Sequence, residues 1–356
     1  MSPESVTTIS FDELIDYSSA LLMAAGASPG DARDTSRLLA QTDAFGIHSH
    51  GLKNLSGYLE KARHGALDLT ASPSVVREGD AFVLLNGHNG IGMIAGTRAM
   101  GLAIEKAKRI GIAIVSVRNS THCGATGLYA LPAAEQGLIG IVVSNVDPNM
   151  TVPGARGKVL GNNPLAYSLP GGRHRPVIFD IALSTVASLK VVKARARGES
   201  IPEGWIVDGA GRTTTDPSHY PEVGAMLPMA GHKGYGLALL VDALTGSLAD
   251  APTSDLVPSW LFDMDRPNQV THTFIVINPA SFDPSGGYEA RIEAFLDRIH
   301  GTPLADGASE VLHPGQLEWR QYDRAVANGV ELPEDVRETL DAAGAFYGIR
   351  SPWSRD

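Results

Sequence analysis

The chain of 356 residues is long enough for two or three domains of ordinary size. Its 43% hydrophobic and 19% charged residues exclude a disordered chain, and its net charge of −10 argues against nucleic acid or an anionic membrane surface as a partner. The single cysteine, Cys123, excludes an internal disulfide, and the first residues lack the basic and apolar regions of a signal peptide. No apolar stretch approaches the ~20 residues needed to cross a bilayer. We therefore expect a soluble, cytoplasmic protein.

The first seventy residues predict a helical segment. Ser10 and Glu13 have the spacing of a capping box at the start of one helix, and Ser28 followed by Pro29 is typical of the start of a second. A third helix is predicted to begin at residues 49–51.

Short strands and helices alternate from residue 72 to about residue 284. The predicted strands are 81–85, 112–117, 138–144, 164–169, 177–180 and 271–277, and the predicted helices are 93–109, 184–197 and 233–248. Helical patterns dominate again towards the C-terminus and end with 334–343. This order predicts an α+β fold with a helical domain built from both chain ends, 1–72 with 285–356, and an α+β domain at 73–284.

Ser49 and His50 are the first candidate functional residues. A hydroxyl and an imidazole at the start of a helix would face whatever the helix N-terminus binds, and that terminus favours an anion such as a substrate carboxylate. In the alternative interpretation, Ser49 only caps the helix and His50 is an ordinary surface residue.

His122 is the second candidate. It follows the strand predicted at 112–117, and enzymes often carry catalytic groups on loops held by a rigid scaffold. An imidazole with an ordinary pKa near ~6.5 suits proton transfer at neutral pH. In the alternative interpretation, His122 is a structural loop histidine.

The sequence does not predict a catalytic metal ion. His48, His50, His122 and Cys123 are candidate ligands, but His48 and His50 are two residues apart and would not share one face of a helix. Neither an HExxH nor a CxxC motif is present.

Two glycine-rich segments approach known phosphate-binding patterns. The segment 90–96 has one residue too many for a GxGxxG turn, and no acidic residue ends the following strand, so a Rossmann turn is not indicated. Lys233 lies within the segment 231–236 at a predicted helix start, where a phosphate group would be stabilised. That segment lacks the Ser/Thr and upstream glycine of a P-loop, and its alternative interpretation is a tight turn before a core helix.

Several further motifs accompany these candidates in a recognisable order. They are SHG at 49–51, NSTHCG at 119–124, SN at 144–145, LGNNP at 160–164, FDIALS at 179–184, IPEGW at 201–205, DGAG at 208–211, TDP at 215–217, GHKGYG at 231–236 and PG at 314–315. Taken together, they resemble the malate/L-lactate dehydrogenase family, which is unrelated to the Rossmann-type lactate dehydrogenases. That family includes relatives acting on ureidoglycolate, sulfolactate, diketogulonate and cyclic imino acids.

The resemblance implies a non-Rossmann cofactor domain with a mixed or antiparallel sheet at 73–284, NAD or NADP as cofactor, and a homodimer with the active site near the subunit interface. It implies a catalytic site formed by Ser49, His50 and His122. The cofactor contacts that it implies are Ser144, Val146, Asp147, Ile178, Asp180, Ile181, Ala182, Leu183, Ser184, His232, Lys233, Gly315 and Gln316.

The chain departs from the family's pattern at two places. The family usually has an arginine four residues after the SHG histidine, and this position is Asn54, next to Lys53. The family's GTNP motif reads Gly-Asn-Asn-Pro at 161–164. We predict that Lys53, Asn54 and Asn163 contact a small anionic substrate, and that this substrate is not simple malate or lactate.

The predicted activity is hydride transfer between a nicotinamide and C2 of a 2-hydroxy acid, 2-keto acid or 2-imino acid. We favour His50 as the proton donor, with Ser49 orienting it and His122 as a second acid or base or as the group that polarises the carbonyl. The sequence leaves the division between the two histidines open. Lys233 would hold a cofactor phosphate. One alternative is a non-catalytic dinucleotide-binding protein on the same scaffold, and a second is a metal-dependent hydrolase.

Overall fold

The structure is a computed structural model that describes residues 7–283 and 285–354. Its helices are α1 (Phe11–Ala24), α2 (Pro29–Ala44), α3 (Leu55–Arg63), α4 (Gly92–Ile110), α5 (Gly127–Ala134), α6 (Ser188–Arg197), α7 (His232–Asp242), α8 (Tyr288–His300), α9 (Gln316–Asn328) and α10 (Glu334–Tyr347). Its strands are β1 (Thr7–Ile9), β2 (Ser74–Glu78), β3 (Phe82–Asn86), β4 (Ile112–Ser120), β5 (Ile139–Ser144), β6 (Leu165–Leu169), β7 (Val177–Ile181), β8 (Ile206–Val207), β9 (Thr213–Thr214), β10 (Ala225–Met226), β11 (Val270–Ile277) and β12 (Val330–Leu332).

A seven-stranded sheet forms the centre of the fold, in the order β2-β3-β4-β11-β5-β6-β7. Strands β3 and β4 run parallel, and the other neighbouring pairs of this sheet run antiparallel. The expected α+β class with a mixed sheet is therefore confirmed. β11 lies between β4 and β5, so the central strand of the sheet is the last of its seven strands in chain order. β7 forms one edge of the sheet.

Both chain ends contribute to one helical layer. β1 pairs with β12 in an antiparallel ribbon in which Ile9 lies opposite Val330. One apolar core contains buried side chains of α1, α2 and α3 together with Leu332, Val336 and Leu340 from the C-terminal part of the chain. The division at residues 73 and 284 into two domains stays a prediction, and the pairing of the ends gives it a physical basis.

Helix α4 packs on the sheet and holds the loop that follows β4. The amide of Gly92 donates a hydrogen bond of 3.0 Å to Oγ1 of Thr121, whose hydroxyl donates to the carbonyl of Gly90. A Cβ atom at Gly92 would lie 2.4 Å from the carbonyl oxygen of Thr121, so only glycine permits this approach. The loop that carries His122 is thereby fixed against the start of α4.

Two helix starts differ from the sequence-based expectation. α3 begins at Leu55 after a 3-10 turn at Leu52–Asn54, so the prediction of a helix from residue 49 is wrong. α6 begins at Ser188 and not at residue 184, because Ser184 pairs with Pro228 in an isolated β-bridge.

The remaining elements follow the predicted order. The helix predicted at 233–248 is α7 followed by a π-helical turn at Ala243–Ser247. The strands β1, β2, β8, β9, β10 and β12 were not predicted; apart from β2 they are two or three residues long. Within the part of the chain that the structure describes, no helix is both long enough and apolar enough to span a membrane.

Candidate functional site

The loop that carries Ser49 and His50 is folded around a buried carboxylate. Asp43, on α2, accepts a hydrogen bond of 2.7 Å from the amide of Leu52 and contacts Nδ1 of His48 at 2.8 Å. A Cβ atom at Gly51 would lie 2.3 Å from this carboxylate. Gly51 has a non-helical ψ of −145°, and the carboxylate of Asp43 caps the amide of Leu52 just after it, so the chain turns here and the regular helix starts later.

The side chains of Ser49 and Asn54 form hydrogen bonds that stabilise this turn. Oγ of Ser49 lies 2.8 Å from Nδ1 of His50, and Nδ2 of Asn54 donates a hydrogen bond of 3.0 Å to the carbonyl of Ser49. Lys53 forms an ion pair of 2.6 Å with Asp335 on α10. The structure thus brings Ser49 and Asn54 to His50, whereas the ammonium group of Lys53 is engaged with the C-terminal helix.

His122 lies between the indole ring of Trp260 and the hydroxyl group of Tyr58. Its ring stacks on Trp260 with the ring centroids 5.0 Å apart, and its Nδ1 atom lies 2.6 Å from Oη of Tyr58. The amide of Gly124 also donates to Nδ1, at 3.4 Å. An amide can only donate, so Nδ1 is the accepting nitrogen and the proton of the neutral ring lies on Nε2.

Burial, reinforced by the neighbouring imidazoles of His50 and His272, lowers the pKa of His122 to about 3. Burial also raises the pKa of Tyr58 well above its ordinary value, so its phenol keeps its proton and donates to Nδ1. His122 is therefore a neutral ring that presents an N–H group from Nε2 at physiological pH.

The rings of His50 and His122 lie side by side, with centroids 5.8 Å apart and planes 28° apart. His50 is exposed to solvent, yet desolvation by the surrounding protein lowers its pKa, and the negative charge of Asp180 opposes that shift. Asp180 therefore stabilises the protonated form of His50, while His122 has no such partner.

Asp180, in β7, is held at the N-terminus of α5. Its carboxylate accepts hydrogen bonds from the amide of Gly127 at 2.7 Å and from Oγ1 of Thr126 at 2.9 Å. Burial raises the pKa of Asp180, and these hydrogen bonds and the nearby His50 lower it in part. Asp180 was predicted as a cofactor contact, and the structure places it within electrostatic reach of the predicted proton donor.

The predicted cofactor residues 178–184 form an extended track along the sheet edge. At one end Gly315, with φ +94°, packs so closely on β7 that a Cβ atom would lie 2.8 Å from the amide nitrogen of Ile178. At the other end the carbonyl of Leu183 accepts a hydrogen bond from Met229, which precedes the start of α7. Ile181, Ala182 and Ser184 complete this track.

His232 and Lys233 open helix α7 and are both exposed. Lys233 forms no ion pair with the residues that the structure describes. Gln316, next to Gly315, uses its side-chain oxygen to accept a hydrogen bond of 2.8 Å from the amide of His313, so it stabilises its own turn.

The other predicted contacts lie at the end of β5 and in the segment that follows it, and many of their polar atoms already form internal hydrogen bonds. Oγ of Ser144 contacts Nδ1 of the buried His272 at 2.8 Å. Asn163 is fully buried and accepts from the amide of Val146 at 3.2 Å while donating to the carbonyl of Ala238 at 3.0 Å. Asn163 thus links the loop after β5 to α7 and presents no free amide to a ligand.

Asp147, in the loop after β5, contacts the segment that carries Trp260. Its carboxylate accepts from the amide of Trp260 at 3.4 Å, and burial raises its pKa. The ammonium of the fully buried Lys61 donates to the carbonyls of Asp263 and Arg266 at 2.7 and 3.2 Å. Asp147 and Lys61 together hold Trp260 over His122.

Five side chains that contribute to the site were not predicted from the sequence. They are Asp43, Tyr58, Lys61, Trp260 and His272. Tyr58 fits the apolar face of α3, which hides the use of its hydroxyl, and Trp260 follows no motif. His272 lies near the start of β11, which the sequence predicts as an alternating strand, and only its pairing with β4 and β5 reveals its polar contacts.

Comparison with known proteins identifies similar sequences and similar structures. The family model described as malate/L-lactate dehydrogenase matches residues 9–341. The chain is 32% identical to the malate dehydrogenase of Pyrococcus abyssi (strain GE5 / Orsay) over 354 residues, covering 98% of this chain and 97% of the relative. It is 32% identical to the ureidoglycolate dehydrogenase (NAD(+)) of Escherichia coli O157:H7 over 337 residues, with 94% and 96% covered. The solved sulfolactate dehydrogenase from Methanocaldococcus jannaschii superimposes with a TM-score of 0.89 at 30% identity, with 97% and 98% covered.

Proposed function

The chain belongs to the malate/L-lactate dehydrogenase family, and we infer from this membership and from the paired histidines that it is an NAD(P)-dependent oxidoreductase. Its reaction interconverts a 2-hydroxy acid and a 2-keto acid, or reduces a 2-imino acid. The observation that carries this inference is the side-by-side arrangement of His50 and His122, 5.8 Å apart, beside Asp180 on the β7 track.

The two histidines receive different roles from their surroundings. His50, whose protonated form is favoured by Asp180, gives a proton to the substrate oxygen or nitrogen in the reduction and takes it back in the oxidation. His122 is neutral and donates a hydrogen bond from Nε2, which suits it to orient and polarise the carbonyl group. Ser49 fixes the ring of His50 through its contact with Nδ1.

The residues of the track fit a dinucleotide cofactor. The exposed ammonium group of Lys233 lies at the N-terminus of α7, which favours a phosphate, and Gly315 keeps the opposite end of the track free of a side chain. When bound, the nicotinamide supplies or accepts the hydride at substrate C2. We assign the phosphate contact to His232 and Lys233 and the edge contact to the backbone of residues 178–184 and 315.

The substrate is proposed to carry a polar group beyond a simple 2-keto acid. The position at which the family usually has arginine is Asn54, whose amide is neutral and donates to the carbonyl of Ser49. Lys53 has its charge compensated by Asp335. A carboxylate next to His50 therefore lacks a bidentate guanidinium from this segment, which supports a preference for substrates other than malate or lactate.

We further propose a homodimer that buries an apolar face of α7. Leu237, Leu239 and Leu240 are 36%, 51% and 49% exposed, and Leu248 just beyond the helix is 55% exposed. This face adjoins the helix end that carries Lys233, so a partner bound there would lie beside the cofactor site. Cytoplasmic localisation is proposed as well, because the single cysteine is a buried free thiol, as is usual in a reducing compartment.

The test of the activity is the oxidation of NADH and NADPH in the presence of a panel of 2-keto and cyclic 2-imino acids. Turnover of at least one compound, abolished in His50→Gln with unchanged nucleotide binding, is the expected result. Nucleotide binding without turnover of any compound would favour the alternative, a dinucleotide-binding protein without catalysis. Loss of turnover on treatment with a chelator would favour a metal-dependent reaction.

The test of the dimer is the molar mass of the wild type and of Leu240→Lys by light scattering. We expect twice the chain mass for the wild type and a shift towards the single chain for the variant. Val326→Lys is the matched control, because Val326 is also an exposed apolar residue, 60% accessible, but lies on α9. Equal masses for the two variants would contradict the proposed interface.

A further inference from the structure

A second group of histidines lies away from His50 and His122, where helix α8 ends against the hairpin between β6 and β7. His174 belongs to the hairpin, Asp297 and His300 to the last turn of α8, and His313 to the segment before α9. The ring centroids of His174 and His300 are 5.4 Å apart, and those of His300 and His313 are 5.1 Å apart.

Three of these residues bring metal-binding atoms together. Asp297 and His300 are three residues apart on one helix, so their side chains share a face, and His174 approaches the same face from the hairpin. One ligand atom from each of His174, Asp297 and His300 lies within 4.8 Å of the other two. Zn²⁺ binds imidazole nitrogen and carboxylate oxygen at about 2.0–2.2 Å, so small side-chain rotations would bring the three atoms into its coordination sphere.

We propose that His174, Asp297 and His300 form a binding site for a divalent transition-metal ion, with Zn²⁺ as the best-matched ion. Two imidazoles and one carboxylate are ligands of intermediate softness, which zinc accepts and which magnesium and calcium do not prefer. The three residues come from two separate parts of the chain, and no local motif unites them. This site is independent of the proposed hydride transfer.

The surroundings of His300 are arranged as a metal-bound imidazole requires. A metal-bound histidine usually has its second ring nitrogen held by a hydrogen-bond partner. Nε2 of His300 lies 3.0 Å from Nδ1 of His313, which is 5% exposed, and this contact leaves the other ring nitrogen of His300 for the ion. Nε2 of His174 lies 2.9 Å from Oδ1 of Asp297, so these two ligands already meet.

The charged side chains next to the three ligands are also compatible with a bound cation. Arg173 forms ion pairs with both Asp297 and Glu293, so one positive charge faces two negative charges. These three groups together carry a net charge of −1. Arg173 contacts Oδ2 of Asp297, whereas His174 contacts Oδ1, so the oxygen nearer to the histidines is not the one that the guanidinium holds.

The site would link the end of α8, where an exposed loop begins, to the hairpin between β6 and β7. His300 and His313 lie at the two ends of the segment 301–312, whose residues up to 310 are exposed. An ion bound to His300 and His174 would tie the end of α8 and the start of this loop to the hairpin of the sheet. Because the unfolded chain has no preformed site, binding of the ion to these distant residues would stabilise the folded state.

The experiment is a metal titration of the full-length protein after removal of bound metal with a chelator and dialysis. Co²⁺ is added first because its visible absorption reports coordination, and Zn²⁺ is then used to displace it, with calorimetry giving the stoichiometry. We expect one Co²⁺ per chain, displaced by one Zn²⁺. His300→Ala and Asp297→Asn should each weaken Zn²⁺ binding by about 100-fold or more, since even partners of metal ligands contribute ~10–100-fold.

His219→Ala is the matched control. His219 forms a similar pair with Asp216, three residues away, but no third ligand joins them among the residues that the structure describes. The control should bind Zn²⁺ as the wild type does. Zn²⁺ should also raise the melting temperature of the wild type and of His219→Ala and leave that of His300→Ala unchanged.

Absence of stoichiometric binding in the wild type, or equal binding by His300→Ala and His219→Ala, would overturn the proposal. Circular dichroism checks that each variant is folded. Should His300→Ala unfold, Asp297→Asn, which keeps the size of the side chain, gives the same comparison. Activity is not needed as a readout, so this test and the test of the proposed reaction fail independently.

Discussion

Oη of Tyr58 lies 2.6 Å from Nδ1 of His122 and fixes both the orientation of the imidazole and the nitrogen that carries its proton. The two residues are on α3 and in the loop after β4, so the contact joins the helical layer to the sheet. Since the phenol donates, the opposite nitrogen of His122 is left as a donor, which the proposed mechanism directs at the substrate.

Tyr58→Phe should reduce kcat about 2–10-fold, because one buried hydrogen bond worth ~0.5–1.5 kcal/mol that orients His122 is lost. The dissociation constant of NADH should not change. The matched control is Tyr17→Phe, which loses a buried hydrogen bond of 2.9 Å to the carbonyl of Leu340, remote from His122. It should lower stability without a change in kcat. Equal kcat values for the two variants would argue against a positioning role of Tyr58.

Asp180→Asn should shift the pH profile of the reaction. The negative charge of Asp180 raises the pKa of His50, so its removal lowers that pKa. Reduction needs protonated His50 and is lost as the pH rises through its pKa, so in the variant this loss should occur at lower pH. Oxidation needs the neutral ring and should extend to lower pH. The measurement is kcat/KM against pH in both directions.

The matched control for this profile is Asp208→Asn. Asp208 also accepts hydrogen bonds from backbone amides, those of Ala210 and Arg212, but belongs to a surface turn. Its profile should coincide with that of the wild type. If Asp180→Asn lowers kcat/KM at every pH without shifting the pH at which activity is lost, then Asp180 does not act through the charge of His50.

Lys233→Ala should raise the dissociation constant of NADH or NADPH, since the exposed ammonium at the start of α7 is proposed to hold a phosphate. Salt should weaken cofactor binding more in the wild type than in the variant, because screening acts on the charge that the variant lacks. Fluorescence titration at two salt concentrations measures both effects. Lys108→Ala, which removes an exposed lysine paired with Gln136, should behave as the wild type.

Asn54→Arg should increase activity on pyruvate or oxaloacetate relative to the preferred substrate, because a guanidinium would offer two charge-assisted hydrogen bonds to a carboxylate. Asn54→Ala separates this effect from the loss of the hydrogen bond to the carbonyl of Ser49, and it should lower all activities by a similar factor. The measurement is the ratio of kcat/KM values across the substrate panel. An unchanged ratio in Asn54→Arg would mean that this position does not select the substrate.

Gly51→Ala should destabilise the protein by more than about 2 kcal/mol and abolish activity, because the new methyl group would lie 2.3 Å from the buried carboxylate of Asp43. Gly101→Ala is the matched control. Gly101 lies within α4 and a Cβ atom there would meet nothing within 4 Å, so alanine should stabilise the helix by about 0.5–1 kcal/mol. Thermal and denaturant unfolding of the two variants measure the difference.

The sequence alone predicted most of the regular elements of the central sheet and the residues at its loops. Alternating and continuous apolar runs locate β4, β5, β6, β7 and β11 because a buried strand needs such a run. The motifs likewise identify His50 and His122 as residue types that proton transfer requires. These inferences depend on local chemistry, which the order of residues contains.

Only the tertiary structure determined how these residues act together. The helix predicted from residue 49 does not form because Gly51, packed against the buried carboxylate of Asp43, takes a non-helical ψ of −145°. Tyr58 fits an apolar helix face in the sequence, but the loop after β4 brings His122 to its hydroxyl. The proton position on His122, its neutrality and the effect of Asp180 on His50 result from burial and from contacts between distant segments. Local sequence specifies which groups are available, and packing determines their distances and their pKa values.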